Sequence, residues 1–97
     1  MADKLENVVF VGKKPPMTYI TSIITAFTIH DEVIVKARGR SISLAVDTVE
    51  ILRRRFMKDV EVKGIKIGTD ELKMSDGTLK PISTIEFILT RGSLEAS

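Results

Sequence analysis

The sequence predicts a two-layer α/β (α+β) sandwich with the element order β-α-β-α-β-β, one sheet carrying both helices on one side. Three observations predict it. Short β-branched runs recur at Asn7–Val11, Glu32–Ala37, Val60–Ile67 and Ser83–Leu89. Two intervening stretches place apolar residues at helical spacing instead. No internal repeat, linker or low-complexity segment divides the 97 residues, a length that suits one small domain. The order differs from the ferredoxin-like β-α-β-β-α-β arrangement.

The first strand, "NVVFV", stops at Gly12. In "KKPP", Pro15 or Pro16 suits the first turn of a helix, whose stripe is Met17, Ile20, Ile23, Ile24 and Phe27. Thr and Ile crowd this helix and disfavour it locally, so periodicity alone argues for it. "EVIVKA" is the second strand. A stronger helix spans about Ser41 to Phe56, with Ile42, Ala45, Val46, Val49, Leu52 and Phe56 as its buried stripe and Ser41 or Ser43 as its cap. At about 100° per residue, Leu44 and Ile51 fall opposite that stripe, either as scattered surface apolars or as a second buried surface such as a dimer contact.

In "VEVKGIKI" the apolar parity shifts across Gly64, and a bulge at the glycine reconciles the two halves. The last strand, "STIEFIL", puts Ile85, Phe87 and Leu89 on one face. The connection between these strands holds the turn signal Ser75-Asp76-Gly77 and is too long for a tight hairpin. It is either a loose loop or a protruding arm carrying Lys73 and Lys80. The first few residues and the tail from Arg91 are expected to fray.

Composition narrows the class. No apolar run approaches the roughly 18 to 20 residues needed to span a bilayer, and no signal segment opens the chain, so a soluble protein made without export is expected. Cysteine is absent, which excludes disulfides and thiolate-bound metal. Glutamine is also absent and Asn7 is the only asparagine, a depletion associated with thermophiles. The formal charge is only +2, yet between Asn7 and Val46 the bases Lys13, Lys14, Lys36, Arg38 and Arg40 face only Asp31 and Glu32. That local asymmetry is a better electrostatic clue than the total.

The residues assemble no catalytic or metal site. His30, Asp31 and Glu32 are consecutive and do not converge on one ion; a surface turn accounts for them better. Asp47 and Glu50 lie three apart on a helix, but Glu50 and Arg54 are also ordinary i,i+4 partners. One loop histidine activates no serine. Gly12-Lys13-Lys14 lacks the spacing of a phosphate-binding P-loop. The chain is not expected to be an enzyme, and no cofactor is implied.

The bases are different because they can converge. If the second strand continues through residue 38 and on to 40, Lys36, Arg38 and Arg40 project to one side. Gly39 permits close approach, and the following helix offers free N–H groups and a positive dipole end. Lys13 and Lys14 occupy the matching connection after the first strand. With the two strands parallel, both connections lie at one sheet edge, a cradle for backbone phosphates or, on the plainer reading, a solvated rim. Arg53, Arg54, Arg55 and Lys58 are weaker evidence, because cations belong at helix C-termini.

"VGKKPPMTY", "KARGRSISLAVDTVEILRRRF" and "STIEFIL" closely resemble the Alba family of archaeal chromatin proteins, over about residues 7 to 90. The resemblance implies a mixed four-stranded sheet with a long hairpin arm, about Thr69 to Ile82. It implies dimers, pairing with themselves or a paralogue, that coat and compact or protect double-stranded DNA in the cytoplasmic nucleoid with little sequence preference and also bind RNA; the alternative it leaves open is an RNA-specific module of an RNA-processing particle. It places Lys13, Lys14, Arg38 and Arg40 on the nucleic acid, with Lys36 as an accessory and Lys73 and Lys80 on the arms. Lys13 would be open to acetylation, with a deacetylase or acetyltransferase as partner, and Phe56 would meet a neighbouring dimer. Thr18 replaces a common asparagine and Leu44 a common lysine; Pro16 makes a double proline, and the loop before the second strand lacks a usual glycine. Loss of a cation at Leu44 strengthens the case that its face, with Ile51, meets protein.

Overall fold

The computed structural model describes residues 7–92. Its elements are β1 (Val8–Phe10), α1 (Pro16–Phe27), β2 (Glu32–Arg38), α2 (Ser41–Ile51) continued by a π-helical turn (Leu52–Phe56), β3 (Val60–Lys73) and β4 (Leu79–Arg91). The expected frayed ends at residues 1–6 and 93–97 lie outside the described residues. Arg91, expected in that tail, instead closes β4 opposite Val60 and donates from Nε to Asp59 Oδ2 at 2.8 Å.

The sheet runs β1-β2-β4-β3, with β1 and β2 parallel and β4 antiparallel to both of its neighbours. Alternation sends Val9, Val33, Val35, Ala37, Phe87 and Leu89 to one face, where both helices pack and the core forms. Val33, Val35, Leu89, Ile20 and Ile23 are wholly buried. Burial of a side chain of this size stabilises by roughly 1.5–3 kcal/mol. That explains how α1 survives its threonines: Ile20, Ile23, Ala26 and Phe27 anchor it to the sheet, while Thr18, Thr21, Ser22 and Thr25 stay exposed.

The helix stripes need correction at their margins. Met17 is exposed in the first turn of α1, and Tyr19 takes its place in the core. On α2 the buried line is Ala45, Thr48, Val49 and Leu52, while Val46 is exposed. Thr48 is tolerated there because its hydroxyl donates to Leu44 O at 2.7 Å. Leu44 and Ile51 are half-buried flanks of this line, packed against the core, and not an opposite face. Phe56 is exposed. Met57 N–H bonds to Leu52 O, the i→i−5 bond of a π turn, which unwinds the last turn and rotates Phe56 off the core line. Glu50 pairs with Arg53 at 2.9 Å, so the expected Glu50–Arg54 pair gives way to an i,i+3 one.

β3 carries the expected bulge: the register shifts between Val62 and Gly64. The long connection is an arm. β3 and β4 stay paired to Lys73↔Leu79, so the loop is only residues 74–78. Gly77 adopts φ +91, and its N–H bonds to Met74 O to close the turn. Pro81 fits because β2 pairs with β4 only as far as Thr84, which leaves that edge open.

Candidate nucleic-acid interface

The parallel pairing of β1 and β2 brings the β1–α1 and β2–α2 connections to one edge of the sheet. One hydrogen bond ties them together: Ser41 Oγ donates to Gly12 O at 3.2 Å. Ser41 follows Arg40 and Gly12 precedes Lys13, so the two connections are fastened next to their cations. Ser41 was expected as a helix cap; neither helix start has a side-chain cap. Neither first turn carries an acid, so nothing in those turns offsets the positive ends of the dipoles. Prolines at 15 and 16 remove two N–H donors from the start of α1, which leaves attraction there to the lysines and the dipole.

Tyr19 is the residue that sequence reasoning missed. It is buried in α1, and its hydroxyl accepts from the N–H of Gly12 and of Lys14, both at 2.9 Å. The loop carrying Lys13 and Lys14 is thereby folded back on its own helix with both lysines exposed. The signal was present as a lone tyrosine on the apolar side of an amphipathic helix, where its hydroxyl requires a partner.

The row of Lys36, Arg38 and Arg40 breaks after Arg38. Gly39 turns the chain with φ +57, and its N–H bonds to Ser83 O at 2.9 Å. A β-carbon at Gly39 would lie 2.9 Å from Ile82 Cδ1, a side-chain end that can shift, so it is the left-handed conformation that requires glycine. Arg40 follows in right-handed helical geometry immediately before α2, exposed, rather than in line with the strand. Lys36 points to the sheet face opposite the helices, pairs with Glu86 at 3.5 Å and lies 5.8 Å from the centre of the Phe10 ring. Arg38, of the same parity, is exposed at the strand end.

The edge therefore gathers Lys13, Lys14 and Arg40, with Arg38 beside them and Lys36 partly engaged. Lys73 and Lys80 are not brought to it. Lys80 is paired with Leu72 and Lys73 with Leu79, which puts the two lysines on opposite faces of the arm. From Thr69 to Ile82 the arm also holds Asp70, Glu71 and Asp76 against those two lysines. Asp76 accepts from the N–H of Thr78 at 3.0 Å and from its hydroxyl at 2.7 Å, which holds its pKa below the ordinary 3.8. Among the described residues no group of three His, Asp or Glu side chains could hold a metal ion, and no helix is long and apolar enough to cross a membrane.

Fold and edge together define a small mixed-sheet domain with a cationic rim at its paired helix starts. The chain belongs to the Alba family, whose model matches residues 7–69. It is 51% identical over 87 residues to "DNA/RNA-binding protein Alba 1" of Archaeoglobus fulgidus, covering 89% of this chain and 97% of that one. It is 47% identical to "DNA/RNA-binding protein Alba" of Methanococcus maripaludis, covering 88% of this chain and 98% of that one. Its fold is similar to that of Alba from Thermoplasma volcanium, with a TM-score of 0.82 at 41% identity over 88% of this chain and 100% of that chain.

Proposed function

We propose that this chain is a non-enzymatic chromatin protein that binds double-stranded DNA through its phosphates, with little sequence preference, and also binds RNA. The Ser41–Gly12 hydrogen bond carries the reading, because it holds Arg40 and Lys13 at one edge beside two uncapped helix starts. The names of the archaeal relatives support the ligand class. Lys13, Lys14, Arg38 and Arg40 neutralise phosphates and Lys36 assists. Lys73 and Lys80 add contacts from the arm. Such a protein sits on the chromosome in the cytoplasm and compacts or protects it.

The binding unit is a dimer of this chain with itself or a paralogue. Exposed Val46, Phe56, Ile65 and Ile67 and half-buried Leu44 and Ile51 leave apolar surface on α2, its last turn and β3, which supports self-association. Lys13 is the modification site. It is exposed, and acetylation by a partner acetyltransferase, reversed by a deacetylase, removes its charge and weakens binding.

An electrophoretic shift with duplex DNA and structured RNA across a salt series tests the reading. Lys13→Ala weakens binding to all sequences alike and reduces the salt slope by about 1. A large preference for one sequence, or loss at one sequence only, contradicts a phosphate-dominated interface.

A further inference from the structure

The sheet face turned away from the helices carries a second feature next to the cationic edge. Phe10 sits there on the outer strand with 69% of its surface exposed, the most exposed aromatic among the described residues. Register places it beside Lys36, which in turn faces Glu86 across β4. These residues, with Arg38, Thr84 and Asp70, line a groove of about 530 Å³. That falls in the roughly 300–1,000 Å³ range of small-ligand sites.

Its chemistry is selective. A bare phosphate surface needs no aromatic ring, and two carboxylates would repel a continuous run of phosphates. An exposed ring, two cations and two acceptors suit an unpaired nucleotide instead. The base stacks on the ring, the cations hold its phosphates, and a carboxylate accepts from an exocyclic amino group. Bases within a duplex are stacked on one another and cannot lie on Phe10. The groove is also continuous with the phosphate edge, because Phe10 leads through Val11 into Gly12 and Lys13. The Lys36 ammonium lies over the ring, 5.8 Å from its centre, and most of the surface of Phe10 is exposed.

We propose that this groove seats unpaired nucleotides, with one base stacked on Phe10, Lys36 and Arg38 on its flanking phosphates, and Glu86 facing its amino edge. The inference rests on the nucleic-acid reading above and adds to it a distinct single-strand site. Duplex contacts stay with Lys13, Lys14, Arg38 and Arg40, and Arg38, at the junction of edge and groove, serves both.

Fluorescence anisotropy with a labelled 12-nucleotide oligo(A) RNA, an oligo(dA) DNA of the same length and a 20-base-pair duplex DNA tests it at one salt concentration. Phe10→Ala is expected to lose roughly 5- to 150-fold in affinity for both single strands, the range for one base–aromatic stack, and to change duplex affinity less than about twofold. Phe10→Tyr keeps a ring and is expected to stay within about threefold of the parent on all three probes. Sedimentation of Phe10→Ala is expected to match the parent. Equal loss on duplex and single strands, or no loss on the single strands, overturns the site. A smaller assembly in Phe10→Ala also overturns it, because the face would then be covered by a second copy. A parent chain that binds duplex but neither single strand sinks this inference alone; one that binds none of the three sinks the underlying reading as well.

Discussion

Replacing Tyr19 by phenylalanine removes one oxygen and tests how the lysine loop is held. That oxygen accepts two backbone N–H groups, from Gly12 and Lys14, each at 2.9 Å. Gly12 is half-buried, and its N–H loses its acceptor, at about 1–2 kcal/mol. Lys14 is exposed, so water substitutes and the loss there is about 0.5 kcal/mol. The ring itself still fills the core, so no cavity term is added. The sum is about 2 kcal/mol, equivalent for a domain of this size to a fall in Tm of about 8 to 16 °C. Loosening the loop also makes binding bear the cost of ordering Lys13 and Lys14, about 1 kcal/mol or fivefold in duplex affinity. Thermal unfolding by circular dichroism gives the first quantity and a shift titration at fixed salt the second. A variant with parental Tm and parental affinity refutes the claim that the hydroxyl sets the loop.

Gly39→Ala forces a side chain into φ +57 and against Ile82 Cδ1, and chemical denaturation should show a loss of roughly 2 kcal/mol. Leu89→Ala, at a wholly buried position in the central strand β4, should cost about 2–5 kcal/mol by the same measurement. The Thr78 hydrogen bonds favour the charged form of Asp76, so their contribution to the arm tip is present above the ordinary carboxylate pKa and fades as pH falls through the lower folded value. In an NMR pH titration the Thr78 amide should therefore move with a midpoint below 3.8; a midpoint at or above it refutes the bond. Phe56→Ser should weaken self-association in sedimentation and lower Tm only by the concentration-dependent part that assembly supplies, because the ring lies outside the core.

The alternation of β2 and the glycine-marked bulge of β3 were legible in the sequence, because a half-buried strand must alternate and a bulge must flip parity. The arm was legible only as an alternative. From Gly68 to Lys80 every residue is exposed, so no buried face imprints a period on that stretch. Periodicity places Phe56 in the stripe of α2 because a period of 3.6 residues extrapolates through Leu52, whereas the π turn changes the period there. At the site, the cations could be named, but not their grouping. Arg40 looked like a third member of a strand row until the positive φ of Gly39 turned it into the start of α2. The Ser41–Gly12 bond joins residues 29 apart, and the Tyr19 bonds belong to a side chain that patterning reads only as apolar. Long-range polar contacts leave little trace in local periodicity.

The most direct test is the dependence of duplex affinity on salt. Lys13, Lys14, Arg38 and Arg40 on phosphates contribute about −3.6 per copy to the slope of log K against log salt, and each contact from Lys36, Lys73 or Lys80 steepens it further. Charge-removing substitutions should each take about 0.9 from it, and the slope should be the same for unrelated sequences. A slope near zero, or one that Lys13→Ala and Arg40→Ala leave unchanged, contradicts the assignment of this edge to the phosphate backbone.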